Sequence, residues 1–303
     1  MPAKGAGQRL LVLVVTYNSA GHLPGLLAAL PAALAGVKVA TVLVVDNASE
    51  DSSVEIARAC TATVVKVHQM GRNAGYAAAI NQGLSTSWSG GPVLVLNPDA
   101  VPSEGAVASM LQLLSSDDQT GIVAPRIVDD RGLLKFSLRR EPTLLRAFGE
   151  ALLGGHRAAR WAATGEEIRD PELYQEGREV EWASGAALMI SEPCLRSVGM
   201  WDEAFFLYSE ETDFILRARD AGYRARFCSK ATVYHPGGDM ERSPYLWSLV
   251  VRNKVRLYRK RRGRLPGTAY WAVALFNEVS RAALGRPTSR AAVRVLLGGE
   301  PRR

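Results

Sequence analysis

Cysteine is scarce in this chain. There are three in 303 residues, Cys60, Cys194 and Cys228, far apart and with no C-x-x-C pair. That argues against a zinc site or a disulfide framework and fits a reducing cytosol. Long apolar runs are also missing. None approaches the roughly 18 residues that a membrane-spanning helix needs. The run Leu10–Val15 is six residues long and follows Lys4 and Arg9, but no small-residue cleavage site comes after it. It predicts a first β-strand rather than a signal peptide. Internal repeats are absent too, as is any known nucleic-acid-binding motif.

Hydrophobic residues make up 47% of the chain, enough for a sizeable core. The net charge of +7 is uneven. Residues 252–303 hold 14 Lys and Arg against 2 Asp and Glu, a net +12; the remainder holds 23 against 28, a net −5. A basic tail on a slightly acidic body points to an anionic partner: a membrane surface, a diphosphate or a nucleic acid.

The first half alternates between strand and helix patterns. Strands are expected at 10–15, 37–45, 63–67 and 93–96, and helices at 22–34, 51–59, 74–84 and 104–114. This repeat implies an α/β fold with a mainly parallel central sheet and helices on both faces. Ligands bind outside the carboxyl ends of such strands. Those ends carry Thr16-Tyr17-Asn18, Asp46-Asn47-Ala48-Ser49, Arg72-Asn73-Ala74-Gly75 and Asn97-Pro98-Asp99. Further on, 129–180 reads as a polar surface excursion, 180–190 as a strand, 210–221 as a helix and 226–233 as a short strand. From Tyr245 the pattern is helical and basic. The expected division is 1–240 for the α/β domain and 241–303 for a C-terminal basic helical extension.

Several residues have two readings. Asp46 can hydrogen-bond the imide of a pyrimidine base or fold a turn. Tyr17 can stack on that base or pack at the core edge. The backbone at Asn73-Ala74-Gly75-Tyr76 can hold a diphosphate at a helix N-terminus or be simply capped by Asn73. Asp99 can bind a divalent cation or sit in a strand-to-helix turn. Glu210, Glu211 and Asp213 suit a helix dipole, and crowded carboxylates can also raise one another's pKa and yield a general base. His235 can be a metal ligand, a phosphate contact or neither.

Taken in order, "VTYNS", "VVDNAS", "GRNAGYAAAIN", "LNPDA", "ASGAALMI", "WDEAFFLYSEETDFILRARDAGY" and "VYH" resemble the family-2 glycosyltransferases of GT-A fold, in the bacterial rhamnosyltransferase-like branch. The resemblance runs from about Leu10 to about Gly238. It implies an inverting glycosyltransferase that moves a sugar from a nucleotide-diphosphate sugar to an acceptor hydroxyl. dTDP-rhamnose is the first expectation for the donor and a UDP-hexose the second. A nucleotidyltransferase would share the sheet, but Thr16–Gly21 lacks its glycine-rich phosphate loop.

The resemblance also implies roles. Asp99 would hold Mg²⁺ or Mn²⁺ on the diphosphate. The first acid of the family's D-x-D motif is replaced here by Asn97, so His235 would be the second ligand. Thr16, Tyr17, Asn18, Asp46, Asn47, Asn73, Gly75 and Asn97 would line the nucleotide site. Glu211 would be the catalytic base, with Glu210 taking that role if the loop shifts. Gly185, Ala186, Trp201 and Asp202 would face the acceptor, with Trp201 enlarging its wall.

Eight basic residues, Arg252 through Arg264, interleave with aromatic and aliphatic ones. They suit a helix on an anionic membrane surface, where a lipid-linked acceptor would lie. The competing reading puts them in the cleft, with Arg252 on the donor. A solvated helical pair and a contact between copies are further alternatives. The expected location is cytoplasmic, peripheral on the inner face of the plasma membrane, with no nucleic-acid partner.

Overall fold

The computed structural model describes residues 9–38 and 40–302, except for the side chains of Asp239 and Glu241. The segment around Lys4 and the residue Val39 therefore lie outside the described residues. In chain order the first elements are β1 (Leu10–Thr16), α1 (Leu23–Ala33), β2 (Ala40–Asp46), α2 (Ser53–Arg58), β3 (Val65–Gln69), α3 (Tyr76–Ser87) and β4 (Val93–Leu96). Then come β5 (Val101–Pro102), α4 (Ala106–Leu114), β6 (Thr120–Val128), β7 (Leu138–Arg139), α5 (Leu144–Leu153) and α6 (Gly155–Ala158). β8 (Glu179–Val180), β9 (Trp182–Ala183), β10 (Ala187–Ile190), α7 (Glu192–Val198), α8 (Glu210–Asp220) and β11 (Arg224–Tyr234) follow. The chain closes with α9 (Asp239–Arg242), α10 (Pro244–Arg262), α11 (Arg264–Ala283) and α12 (Pro287–Leu296).

These elements form two compact units. The first comprises the chain up to Ser137, Glu172–Phe206 and Glu210–Pro236. The second comprises Leu138–Pro171, Leu207–Ser209 and the chain from Gly237 onward.

The first unit is built on one sheet with the order β3-β2-β1-β4-β10-β6-β11-β5, and β8 joins β11. β1 pairs in parallel with β2 and β4, and β2 with β3. β10 then runs antiparallel between β4 and β6, and β6 pairs in parallel with β11. β1 is buried along its whole length, which is why it reads as an unbroken apolar run. Its alternate residues serve opposite faces. Leu10, Val12 and Val14 share a core with Leu23, Leu26 and Leu30 of α1. Leu13 faces α3, where an added Cβ at Gly83 would lie 2.6 Å from its side chain. Each such leucine removed from water contributes about 1.5–3 kcal/mol.

Two parts of the chain depart from the sequence expectation. Residues 180–190 are not one strand: they split into β8, β9 and β10, with a turn at 185–186. The stretch 129–180 is not only a surface excursion, because it contains α5 and α6, which belong to the second unit. The second unit thus extends beyond a tail starting at residue 241. Arg146, Gly149 and Glu150 interrupt the apolar pattern of α5, whose Leu144 and Ala147 pack inward.

In the second unit α10, α11 and α12 pack on one another and α5 packs on α11. Tyr258 and Tyr270 stack at 4.3 Å in its core. Ser243 caps α10 by accepting from the Leu246 amide, and Gly263 ends it with φ 88°, a left-handed geometry that suits glycine. Part of the basic cluster is spent internally. Lys254 Nζ lies 2.9 Å from Glu166, and Arg261 and Arg262 both reach Glu141. Asn253 donates to the carbonyls of Leu207 and Tyr208. No helix among the described residues is long and apolar enough to cross a membrane.

Candidate active site

The C-terminal ends of β1 and β2 are tied to each other. Thr16 Oγ1 donates to Asp46 Oδ1 at 2.9 Å, and Asp46 also accepts from the amide and hydroxyl of Ser49. Asp46 is fully buried. The carboxylate is engaged by Thr16 and Ser49, the contacts of the turn reading. Asn18 sits at φ 50° and accepts from the Glu50 amide, so it fastens the same loop. Tyr17 is half-buried at this edge.

The third strand end is joined to the second. Asn47 is buried, donates to the Gly75 carbonyl at 3.1 Å and accepts from the Ala74 amide at 2.9 Å. Asn73 accepts from the Gly75 amide, and the Tyr76 amide donates to the Phe206 carbonyl at 2.8 Å. All three amides at 74–76 are thus used within the protein. This corrects the expectation that they stand open for a diphosphate; they lock the entry to α3. Gly75 is required there. Its φ is 96°, and a Cβ would lie 2.5 Å from the Phe206 carbonyl oxygen.

At the β4 tip the answer differs. The Ala100 amide closes a turn onto the Asn97 carbonyl at 3.1 Å, and the Asn97 amide donates to Ala186. The Asn97 side chain accepts from the Tyr76 hydroxyl at 2.8 Å. Asp99 meets His235 Nε2 at 3.3 Å, with both side chains mostly buried. Burial alone would raise the Asp99 pKa. The hydrogen bond and charge of His235 outweigh it, with help from His22, and hold it below the usual carboxylate range. β11 delivers His235 to this point by running parallel to β6 and antiparallel to β5.

The acid pair starts α8. Tyr208 and Ser209 precede it with φ 69° and 72°, left-handed values that are strained for such residues. Glu210 points inward, is 4% exposed and leaves Oε2 without a hydrogen-bond partner. Burial pushes its pKa well above 4.5, and the charge of Glu211 pushes it further. Glu211 is half-buried, against Gly185, where an added Cβ would lie 3.1 Å from its Cβ and Cγ. Burial and the charges of Glu210, Glu211 and Asp99 together raise the Tyr76 hydroxyl far above 10. All three carboxylates therefore lie close enough to act on the Tyr76 hydroxyl. Asp213 serves the helix itself, paired with Arg217 at 2.8 Å.

Trp201 is not an open wall. It is buried and stacks on Phe214 at 4.7 Å. Asn81 pins it, donating to its carbonyl and accepting from its amide, both at 2.9 Å. Asp202 caps the next turn through the Ala204 amide. Arg252 lies exposed on α10 of the second unit, 3.7 Å from Glu300. Tyr76 is the site residue that sequence reasoning missed as a side chain. The only signal for it was an aromatic residue opening an alanine-rich helix.

The whole arrangement defines a class first: a glycosyltransferase of GT-A fold. A mannosyltransferase from Pyrobaculum calidifontis, solved with GDP-Man and Mn²⁺, aligns with a TM-score of 0.59 at 19% identity, over 99% of this chain and 79% of its own. Glucosyl-3-phosphoglycerate synthase from Mycobacterium tuberculosis, solved with Mn²⁺ and UDP, aligns at 0.56 and 15% identity, over 85% and 81%. The profile of glycosyl transferase family 2 matches residues 11–173, and the chain belongs to that family. It is 30% identical over 237 residues to an N-acetylglucosaminyl-diphospho-decaprenol L-rhamnosyltransferase of Mycobacterium tuberculosis, covering 75% of each chain. It is 29% identical over 232 residues to the low-salt glycan biosynthesis hexosyltransferase Agl10 of Haloferax volcanii, covering 75% of this chain and 66% of the other.

Proposed function

We propose that this glycosyltransferase moves rhamnose from dTDP-rhamnose to a hydroxyl of a lipid-linked sugar acceptor, with inversion at the anomeric carbon. The observation that carries the chemistry is the contrast within the acid pair. Glu210 is buried, and burial with the nearby charge of Glu211 favours its protonated form, while Glu211 is half-buried against Gly185. Glu211 takes the proton of the acceptor hydroxyl. The oxygen attacks the anomeric carbon as the bond to the diphosphate breaks, and the nucleoside diphosphate leaves. No covalent sugar–enzyme intermediate is needed.

The donor set at the β4 tip fits a divalent cation. Asp99 and His235 bring one carboxylate and one imidazole nitrogen within 3.3 Å. Mg²⁺ or Mn²⁺ needs few protein ligands when substrate phosphates and water complete its shell. Bound there, such a cation would neutralise charge developing on the leaving diphosphate. Tyr76 and Asn97 hold the neighbouring wall. The Mn²⁺-bound neighbours and the rhamnosyltransferase relative, named for a lipid diphosphate acceptor, support this reading. A lipid-linked acceptor would bring the protein to the cytoplasmic face of the plasma membrane. The hexosyltransferase relative favours a second reading, in which the donor is a UDP-hexose.

Thermal melts with dTDP-rhamnose, UDP-glucose or GDP-mannose, each with Mn²⁺, test the donor. The largest stabilisation is expected from dTDP-rhamnose; a larger shift from UDP-glucose moves the donor to the second reading. Asp99→Ala is expected to abolish transfer while the fold survives. Full activity of that variant in EDTA-treated buffer would sink the metal assignment.

A further inference from the structure

The second unit carries apolar helix faces that its own packing leaves uncovered. On α5, Leu144 and Ala147 turn toward the core that contains Tyr258 and Tyr270. Leu145, Phe148 and Leu152 stand 48–57% exposed. Their i, i+3, i+7 spacing puts them on one helix face. Its neighbour α11 repeats the pattern over a longer span. Leu265 is 86% exposed, Phe276 54% and Val279 48%. Every other exposed position from Leu265 to Ala283 is Pro, Thr or Ala, so no charge interrupts that side of the helix. Just past α6, Trp161 is 56% exposed, with Arg157 and Arg160 exposed close before it in sequence.

A helix face of this kind is costly in water, so something of matching chemistry covers it. The charge of the unit decides what. It holds 21 Lys and Arg against 9 Asp and Glu, a net +12. A second copy would bring two strongly positive surfaces together. An anionic bilayer offers both an apolar interior boundary and the opposite charge. Exposed Trp and Arg side by side suit the headgroup layer, where the ring is half-wet and the cation meets phosphate. The helices are not apolar enough to cross the membrane, so they lie on it.

We propose that the exposed faces of α5 and α11 dock this protein onto the headgroup region of an anionic bilayer. The idea deepens the lipid-linked-acceptor reading and rests on it for its purpose. It differs from a purely electrostatic tail. Lys254, Arg261 and Arg262 are already paired with Glu166 and Glu141, so the remaining cations act together with apolar insertion.

Flotation of the full chain on vesicles, without donor or acceptor, tests this. The vesicles are phosphatidylcholine alone or phosphatidylcholine mixed with phosphatidylglycerol. Wild type should float with the mixed vesicles and much less with phosphatidylcholine alone. Phe148→Asp/Leu152→Asp and, separately, Phe276→Asp/Val279→Asp should each cut partitioning about tenfold or more. Unchanged flotation of both variants overturns the proposal. So does a wild-type dimer that both variants dissolve while vesicle binding stays intact. The sugar-transfer reading fails separately. A chain that floats but transfers nothing to a detergent-solubilised lipid-linked acceptor contradicts that reading and still supports docking. A chain that transfers sugar but never floats overturns docking alone.

Discussion

Two adjacent glutamates of the same type meet different fates here, because one faces the core and the other does not. Glu211→Gln keeps the shape of the proposed base and removes its proton affinity. Its kcat is expected to drop about 10²–10⁴-fold with donor affinity nearly unchanged, measured by steady-state rates beside a donor titration. A large loss in Glu210→Gln with none in Glu211→Gln would exchange their roles. Glu210 also leaves a signature in stability. Its raised pKa means that the folded state keeps a proton that the unfolded chain releases around pH 4.5. Above that pH the unfolded state binds fewer protons, so stability falls as pH rises toward the folded value. Glu210→Gln removes this slope. Melts from pH 4 to pH 8 should show the variant gaining on wild type as pH rises, and parallel curves would refute the buried, protonated assignment.

At the scale of elements, the site is made by strand ends that bond to one another before any ligand arrives. Asn47 and Asn73 consume the amides ahead of α3, and Tyr76 takes the Phe206 carbonyl. Gly75 stands at the junction. Gly75→Ala must adopt a left-handed φ and push its Cβ into the Phe206 carbonyl. The expected cost is about 2–4 kcal/mol in denaturant unfolding. A change below about 0.5 kcal/mol would mean that the junction relaxes freely. The "NAGY" and "VVDNAS" stretches were legible as strand-end motifs. Their individual roles were not, because a side chain that binds a ligand and one that braces a neighbouring loop use the same atoms.

Across the molecule, the charge asymmetry seen in the sequence gains a more exact form. The basic tail shares its unit with 138–171, and that segment supplies the acids its cations need. Glu166 is 3% exposed, with Lys254 Nζ at 2.9 Å and the Tyr270 hydroxyl at 3.4 Å. Burial alone would lower the Lys254 pKa, but the charges of Glu166 and Glu150 raise it above 10.5, so Lys254 stays charged at neutral pH. Lys254→Met leaves Glu166 without its countercharge. The Lys254 side chain is about one-third exposed, so the expected loss is about 3 kcal/mol, the lower end for a broken buried pair. Lys254→Met/Glu166→Gln should recover much of it. Equal stabilities of the single and double variants in urea would show that the pair does not couple.

The sequence by itself determined the alternating strands and helices of the first unit. Period and turn chemistry are local, and an apolar run such as Leu10–Val15 has few alternatives to a buried strand. It also determined which strand ends would carry polar residues. Only the tertiary structure decided which partners those residues meet. Asp46 and Asp99 both end strands, yet Asp46 is enclosed by Thr16 and Ser49 while Asp99 meets His235 from a strand more than 130 residues later. The same holds for Glu210 and Glu211, and for Trp201, which joins the core through Asn81 and Phe214. Burial, and with it a side chain's charge and reach, depends on contacts distant in sequence, and no local pattern records them.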